Sequence, residues 1–449
     1  MKVSKYTFLF NLENKEFYTY NTLSNSLIEL DEPSYSYLDR AKNSKSDITV
    51  TDLDSELYEV LEAKKIITEN EQDDFLIYKS VITAQRTDRS NMHVTIAPTM
   101  NCCFSCHYCF EKYKQEGVMS EEVMDSIVKY MNLLESKPEF SLTWFGGEPL
   151  MAIEQMEQLY NKFVSDYQAP TDSDIITTGF HINEQAVEVF KRIGIKRIQV
   201  TLDGLKDTHN KVKFTSGCDD AFTKVIDNVE LVLKSAPNIT VIFRVNITKE
   251  NAGEYVQLHK ELTHRYQAYS NWGMSPGIIM ERGVFTLDTP KEKSNLFLPN
   301  ESAEFSLGLY HKHKIRTVSL QYPSQYFQEC GIRNVMSISF DAEGYAYKCW
   351  ELIGNKDYAT GKLNDNGNLE TINIVSYNRQ MFGADPLEDP TCSQCRYLPI
   401  CHGGCPMQRI ENKFEGKKNC TCTFYKGHIA DFMKVYLAMI KEDTANKTE

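Results

Sequence analysis

Between about residues 92 and 265 the hydrophobic pattern alternates between two periods. Short apolar runs are followed, again and again, by longer stretches whose apolar residues recur every three to four positions. "HVTIAPT" reads as a strand. "MSEEVMDSIVKYMNLLES" reads as a helix, with Ser120 as N-cap and Val123, Met124, Ile127, Met131 and Leu134 on one face. "FSLTWF" is the next strand, with a helix over about 151–166. "DIITT", "KRIQVTL" and "NITVIFRVNIT" are further strands. Helices follow them near 183–193, over Phe222 to Val232, and near 251–265. This regular strand–helix alternation predicts a parallel α/β sheet, best fitted by a partial (β/α)6 TIM-type barrel. In that architecture chemistry sits where strands end and the following loops begin.

The flanks follow other patterns. Lys5 to Leu12 and Phe17 to Asn21 predict two short strands joined by the turn Glu13-Asn14-Lys15. Asp31 and Pro33 suit a helix start, and Leu53, Leu57, Val60 and Leu61 form a second helical stripe. The polar "TENEQDD" at 68–74 reads as an edge or hinge. After about residue 315 the pattern is irregular and rich in turns, ending in an amphipathic helix near 424–441. Three regions are expected: 1–80, 90–314 and 315–449.

Composition narrows the function. Of 449 residues, 41% are hydrophobic, ample for a large core. The formal charge of −13 argues against nucleic acid and anionic membranes as general partners. No apolar run is long enough to span a membrane. The N-terminal patch at Phe8 to Phe10 is broken by Asn11 and Glu13, too soon for a signal segment. A cytoplasmic protein is expected, where thiols stay reduced and clustered cysteines point to metal rather than disulfide. The 13 cysteines are concentrated at 102–109 and 330–422; Cys218 stands alone.

Cys102, Cys106 and Cys109 make C-x3-C-x2-C in the loop after the first barrel strand. Three thiolates on one tight loop suit three corners of a [4Fe–4S] cluster, leaving one iron open. A structural zinc site is the alternative. Cys103 falls outside the spacing and reads as a small buried side chain.

At these residues the chain resembles the radical S-adenosylmethionine (SAM) superfamily, whose CxxxCxxC signature has an aromatic residue before the last cysteine, here Tyr108. "WFGGEPL" resembles the family's GGEP motif at Gly146, Gly147, Glu148 and Pro149, whose backbone holds the SAM amino group. Two glycines also permit close backbone approach to a ligand. "QVTLDG" and "FRVNIT" resemble later strand ends that contact SAM, making Thr201, Asp203, Arg244 and Asn246 further candidates. The family's T-N-G after the third strand is replaced by Thr178-Gly179, so no contact is assigned there.

The later cysteines resemble the seven-cysteine SPASM extension, which implies two auxiliary [4Fe–4S] clusters and three clusters in all. Cys392, Cys395, Cys401 and Cys422 would hold the outer cluster, with Cys420 as the alternative to Cys422. Cys330, Cys349 and Cys405 would hold the inner one. No cysteine shortly before Cys330 offers a fourth ligand, so an open iron is expected unless Cys420 fills the place. The N-terminal unit resembles the winged-helix, PqqD-like domain that captures a precursor's leader segment as an added strand.

The resemblance implies an enzyme fed by a flavodoxin or ferredoxin. It would split SAM reductively and use the resulting 5′-deoxyadenosyl radical to take hydrogen from a ribosomally made precursor peptide. An intramolecular crosslink is the expected product, with a thioether favoured over a carbon–carbon or cyclophane link. A sulfatase-maturase-like formylglycine-forming oxidase is the runner-up. Those relatives place an aspartate base directly after the second SPASM cysteine, whereas here Cys349 is followed by Trp350 and Glu351. A zinc-binding scaffold is the non-enzyme alternative. No general base is assigned.

Overall fold

The computed structural model describes residues 1–13, 15–106, 108–109, 116–279, 295–323 and 330–448; Asn14 of the expected turn therefore lies outside the described residues. The chain opens with β1 (Lys2–Val3) and an antiparallel sheet of β2 (Thr7–Asn11), β3 (Phe17–Asn21) and β4 (Ser26–Leu30). Next come α1 (Glu32–Ser44), α2 (Ser55–Ala63) and β5 (Ile67–Thr68), which pairs with β1. Asp31 caps α1 by accepting from the Ser34 backbone N–H, with Pro33 in the first turn, as its sequence predicts.

Strand periodicity gives the small sheet two apolar faces. Leu9, Phe17, Ile28 and Leu30 pack toward α1 and α2. Phe8, Phe10, Tyr18 and Tyr20 pack against Ile400, Ile429, Met433 and Leu437 of the C-terminal region. The sheet is therefore buried on both sides by residues far apart in sequence.

The polar run at 68–74 is not a hinge. It starts α3 (Glu71–Thr87), where Asn70 accepts from the Gln72 backbone N–H and Glu71, Asp73 and Asp74 occupy the first turn. Acidic residues there are stabilised by the positive end of the helix dipole, which explains the polar composition. The helix carries the N-terminal unit past residue 80 and onto the C-terminal region. Tyr78 and Ile82 pack with Leu387 and Leu398.

The central sheet contains β6 (Asn91–Ile96), β7 (Glu139–Trp144), β8 (Asp172–Thr177), β9 (Arg197–Leu202), β10 (Thr240–Ile247) and β11 (Trp272–Ile278), parallel and in sequence order. The intervening helices are α4 (Glu121–Leu133), α5 (Ile153–Asp166), α6 (Glu184–Arg192), α7 (Lys206–Val212), α8 (Ala221–Ser235) and α9 (Glu254–Arg265). Helix α10 (Pro299–His313) follows. On one face of the sheet Val94, Ile96, Leu142, Trp144, Ile198, Val200, Val241 and Phe243 join the main core with the helices. Most alternate positions are polar, Thr95, Ser141, Thr143, Gln199, Thr201, Arg244 and Asn246, with Ile176 and Ile242 as apolar exceptions. A parallel sheet covered by helices on both faces would be apolar throughout. This alternation instead marks a second face that lines a polar interior.

The barrel does not close. The sheet ends at β11 on one side, while β12 (Ser337–Phe340) joins parallel to β6 on the other. Strands β13 (Tyr345–Tyr347), β14 (Gly361–Leu363) and β15 (Leu369–Thr371) extend it antiparallel to ten strands. Short helices α11 (Ile374–Met381), α12 (Pro390–Ser393), α13 (Leu398–Cys401) and α14 (Pro406–Glu415) carry the cysteine-rich segment. The last helix, α15 (Ile429–Thr448), packs on α10 and the N-terminal sheet.

Arg86 near the end of α3 makes a two-pronged ion pair with Asp385, its Nη1 and Nη2 donating at 2.6 and 3.0 Å. Both side chains are mostly buried, at 15% and 12% exposure. Removing one partner leaves the other poorly solvated. We expect Arg86→Met to destabilise the protein by about 1–3 kcal/mol, measured by urea unfolding, with Asp385→Asn adding little on top.

Candidate active site

The site begins where two loops meet backbone to backbone. The loop after β6 carries Cys102, Cys106 and Cys109; the loop after β7 carries Gly146 and Gly147. A Cβ on Gly146, whose φ is +109°, would lie 2.4 Å from Thr99 O. One on Gly147 would lie 2.3 Å from Asn101 O. Gly147 N–H donates to Thr99 O at 3.2 Å and Glu148 N–H to Asn101 O at 2.8 Å. The glycines thus admit the cysteine loop, a close approach that their sequence did not specify. The Gly147 N–H points into the protein, and no backbone donor of the described residues takes the Gly146 or Gly147 carbonyl. Free carbonyls are what an ammonium group requires.

Glu148 is fully buried and ties the second loop to the third strand. Its Oε1 accepts from Thr177 Oγ1 at 2.6 Å and from Leu150 N–H at 3.1 Å. Its Oε2 accepts from Thr178 N–H at 2.8 Å and Thr178 Oγ1 at 2.5 Å. Thr177 and Thr178 were not identifiable as site residues from sequence, because the local motif departs from the familiar one. Pro149 starts a single 3-10 turn that Glu148 caps. Cys103 is half-buried and packs against the main core alongside Cys102 and Cys106.

Tyr108 reaches across the sheet. Its hydroxyl donates to Asp203 Oδ1 and accepts from Asn246 Nδ2 at 3.1 Å. Asp203, just beyond β9, is 2% exposed. Its Oδ2 lies 3.4 Å from Lys213 Nζ and 3.7 Å from His209 Nδ1. Asn251 Nδ2 donates to the backbone carbonyls of Asp203 at 2.7 Å and Asn246 at 3.0 Å. Three expected residues, Tyr108, Asp203 and Asn246, therefore form one network with three unexpected ones: His209, Lys213 and Asn251. Burial lowers the His209 pKa to about 4, so it stays neutral beside the ion pair.

Thr201 and Arg244 are register partners on β9 and β10, and Arg244 is paired with Ser275 on β11. Arg244 is accessible to solvent yet ringed by protein, which lowers its pKa, while Tyr108 opposes the shift. Its side chain lies over Gly277, where a Cβ would come within 2.7 Å of Nε. This places a cation on the polar face beside the network.

The C-terminal cysteines lie over the same region. Cys349 and Cys405 pack against a small core that includes Ala97 and Met100 of the first loop and Phe145 of the second. Phe145 also stacks with Trp350, ring centroids 5.8 Å apart. Farther out, Cys401 is pushed up in pKa by burial and feels both Cys395 and Cys422. Cys422 is lowered to about 5, first by a hydrogen bond from Cys420 and also by Lys426. Cys330 acts on buried Lys348, whose pKa burial lowers to about 7.

Among the described residues no three His, Cys, Asp or Glu side chains close on a single ion. An iron–sulfur cubane is larger than an ion and takes thiolates on its corners, which these loops supply. Cations beside the sulfurs add to the fit: Lys213 Nζ donates to Cys106 Sγ at 3.7 Å, Arg409 Nη1 to Cys392 Sγ at 3.3 Å and Lys426 Nζ to Cys422 Sγ at 3.6 Å.

The Glu148 clasp generates a prediction. Glu148→Gln turns one acceptor into a donor that faces the donors of Thr177, Thr178 and Leu150. We expect a loss of about 2–3 kcal/mol in stability and about tenfold weaker SAM binding, measured by equilibrium dialysis; unchanged affinity would show that the clasp does not shape the ligand loop.

Residues 96–262 match the Radical SAM superfamily. The cysteine-type anaerobic sulfatase-maturating enzyme of Clostridium novyi is 23% identical over 356 residues, covering 73% of this chain and 91% of that protein. The radical SAM cyclopropyl synthase TigE of Paramaledivibacter caminithermalis is 20% identical over 462 residues, covering 92% of this chain and 90% of its own. The structure of Streptococcus suis SuiB bound to its precursor peptide SuiA shares the fold, with a TM-score of 0.51 and 14% identity over 94% of this chain and 99% of that one. The family match falls on the same strands and loops that bring the cysteines, the two glycines and Asp203 together, and the chain accordingly carries a radical SAM domain.

Proposed function

We propose that this enzyme matures a ribosomally made precursor peptide by installing an intramolecular crosslink, with a thioether as the favoured product. One observation carries the reading: Cys349 and Cys405 share a small core with the loop of Cys102, Cys106 and Cys109 and with Phe145 beside Gly146. A second metal-binding region therefore borders the polar face on which SAM is proposed to lie. We assign Cys102, Cys106 and Cys109 to the SAM cluster, Cys330, Cys349 and Cys405 to the inner auxiliary cluster, and Cys392, Cys395, Cys401 and Cys422 to the outer one. When bound, the SAM cluster and SAM supply one-electron reductive cleavage and a hydrogen-abstracting radical.

The protein's own part is positioning. The free carbonyls of Gly146 and Gly147 suit the SAM amino group, and Arg244 offers a cation to its carboxylate. Thr201, Asp203 and Asn246 line the same strand ends. Cys420 donates to Cys422 at the outer group, which supports keeping it away from Cys330 and leaving an inner iron for a substrate thiolate.

The peptide substrate is supported by the N-terminal unit. In that unit β4 pairs only with β3 among the described residues and presents an edge to an added leader strand. TigE and SuiB each match more than nine-tenths of this chain, whereas the sulfatase-maturating relative matches 73%. Trp350, stacked on Phe145, stands directly after Cys349, and this disfavours formylglycine formation. A flavodoxin- or ferredoxin-class protein would supply electrons. No helix among the described residues is long and apolar enough to cross a membrane.

The test is anaerobic. Purified protein should carry about twelve irons and matching sulfide per chain; stoichiometric zinc without sulfide would overturn the reading. Incubated with SAM, reductant and a cysteine-bearing peptide encoded beside the gene, it should yield a product lacking two hydrogens and no longer alkylated by iodoacetamide. A product that lacks two hydrogens but still alkylates would replace the thioether with a carbon–carbon link.

A further inference from the structure

Lys213 is a buried cation, 4% exposed, that none of the roles above requires. It follows α7, where its backbone N–H donates to His209 O at 2.7 Å and fixes the turn. Its ammonium stands between two groups of opposite interest. Asp203 Oδ2 lies 3.4 Å away on one side, and Cys106 Sγ accepts from it at 3.7 Å on the other. The ring of Phe104 lies below, with the nitrogen 5.7 Å from its centroid. A buried ammonium requires a counter-charge, and Asp203 provides it. Asp203 is itself held by Tyr108 at its other oxygen and by Asn251 at its carbonyl.

The pair has no net charge, but it is oriented. The positive member faces the sulfur and the negative member faces away toward β9. A cluster that accepts an electron gains negative charge on its sulfurs, and a fixed N–H donor at one sulfur favours that reduced form. We propose that Lys213 is a positioning residue of the SAM cluster: held by Asp203, it donates to the Cys106 sulfur, raises the cluster's reduction potential and, through Asp203, couples that sulfur to Tyr108. This rests on the reading that Cys106 is a cluster ligand.

The experiment uses the full chain, loaded with its clusters and titrated anaerobically while the electron paramagnetic resonance signal that changes on adding SAM is followed. In Lys213→Met this signal should move to a more negative potential, and reductive SAM cleavage should fall about 10- to 100-fold. Lys213→Arg, which keeps the charge, should restore both to within a few-fold. The double variant Asp203→Asn, Lys213→Met removes both buried charges and avoids stranding a carboxylate. Its potential should lie below wild type but above Lys213→Met. A potential equal to wild type in both the single and the double variant overturns the proposal; if the single variant does not fold, the double variant alone decides. Failure of the underlying reading looks different: the wild-type chain then shows no SAM-responsive signal, or Cys106→Ala leaves it unchanged.

Discussion

The contact between the first two strand-end loops constrains everything around it. Thr99 and Asn101 bring their carbonyls to where side chains on Gly146 and Gly147 would stand, with Cβ separations of 2.4 and 2.3 Å. No other residue type fits without moving backbone, because backbone atoms rather than flexible side-chain ends form the obstruction. This fixes the cysteine loop against the loop after β7. The remaining ties continue strand by strand. Glu148 joins β7 to β8, Tyr108 joins the cysteine loop to Asp203 after β9, and Asn251 joins Asp203 to Asn246 on β10. Each tie is a buried or half-buried polar contact with its partner supplied, which is how polar groups remain stable at the end of an apolar core.

The same logic joins the cysteine-rich region to the barrel. Segment 383–389 is held from three directions: Arg86 pairs with Asp385, Arg333 donates to Ala384 O at 3.1 Å, and Arg409 donates to Ala384 O at 2.8 Å and to Asp389 at 2.7 Å. These arginines come from α3, from the turn after Cys330 and from α14 after Cys405. Planar guanidinium groups suit this task because each serves several acceptors in fixed directions. The positions of Cys330, Cys392 and Cys405 therefore depend on one short segment and on a helix of the N-terminal unit.

Much of this was legible in the chain. The strands β6 to β10 and helices α4, α5, α6, α8 and α9 were visible because apolar residues repeat at clear periods, whereas the short polar α7 was not; Ser120 caps α4 as expected by accepting from Val123 N–H. The cysteine spacings and the two glycines marked the loops. Other parts were hidden for identifiable reasons. Strand β11, "WGMSPGI", contains two glycines and a proline, so no period shows. The start of α3 was masked by acidic residues whose favourable place is the helix dipole, not the core. Lys213, His209 and Asn251 carried no local signal, since their partners lie on other strands. The glycines were recognised as sites of close approach, but the approaching group is another loop, which only the tertiary structure reveals.

The N-terminal sheet meets the segment of Cys392 and Cys395 at Arg396. Arg396, directly after Cys395, donates to Thr7 O and sits over Phe8 with its guanidinium carbon 3.6 Å from the ring centroid. Its own carbonyl accepts from Thr22 Oγ1 at 2.7 Å, and Tyr397 packs on Phe8 at 5.1 Å. Lys42 also donates to Thr7 O at 2.6 Å, so the outer side of β2 is capped by side chains at this point. A strand added to this sheet is thereby directed to β4. Because Tyr20 on β3 lies at register with Phe8 on one side and Leu27 of β4 on the other, the pairing edge is two strands from the cysteine segment. In the function proposed above, the leader would be held on one edge of a sheet whose opposite edge is bonded to the loop of an auxiliary cluster. That arrangement fixes the distance between the anchored end of a peptide and the metal region, without any contact between the two.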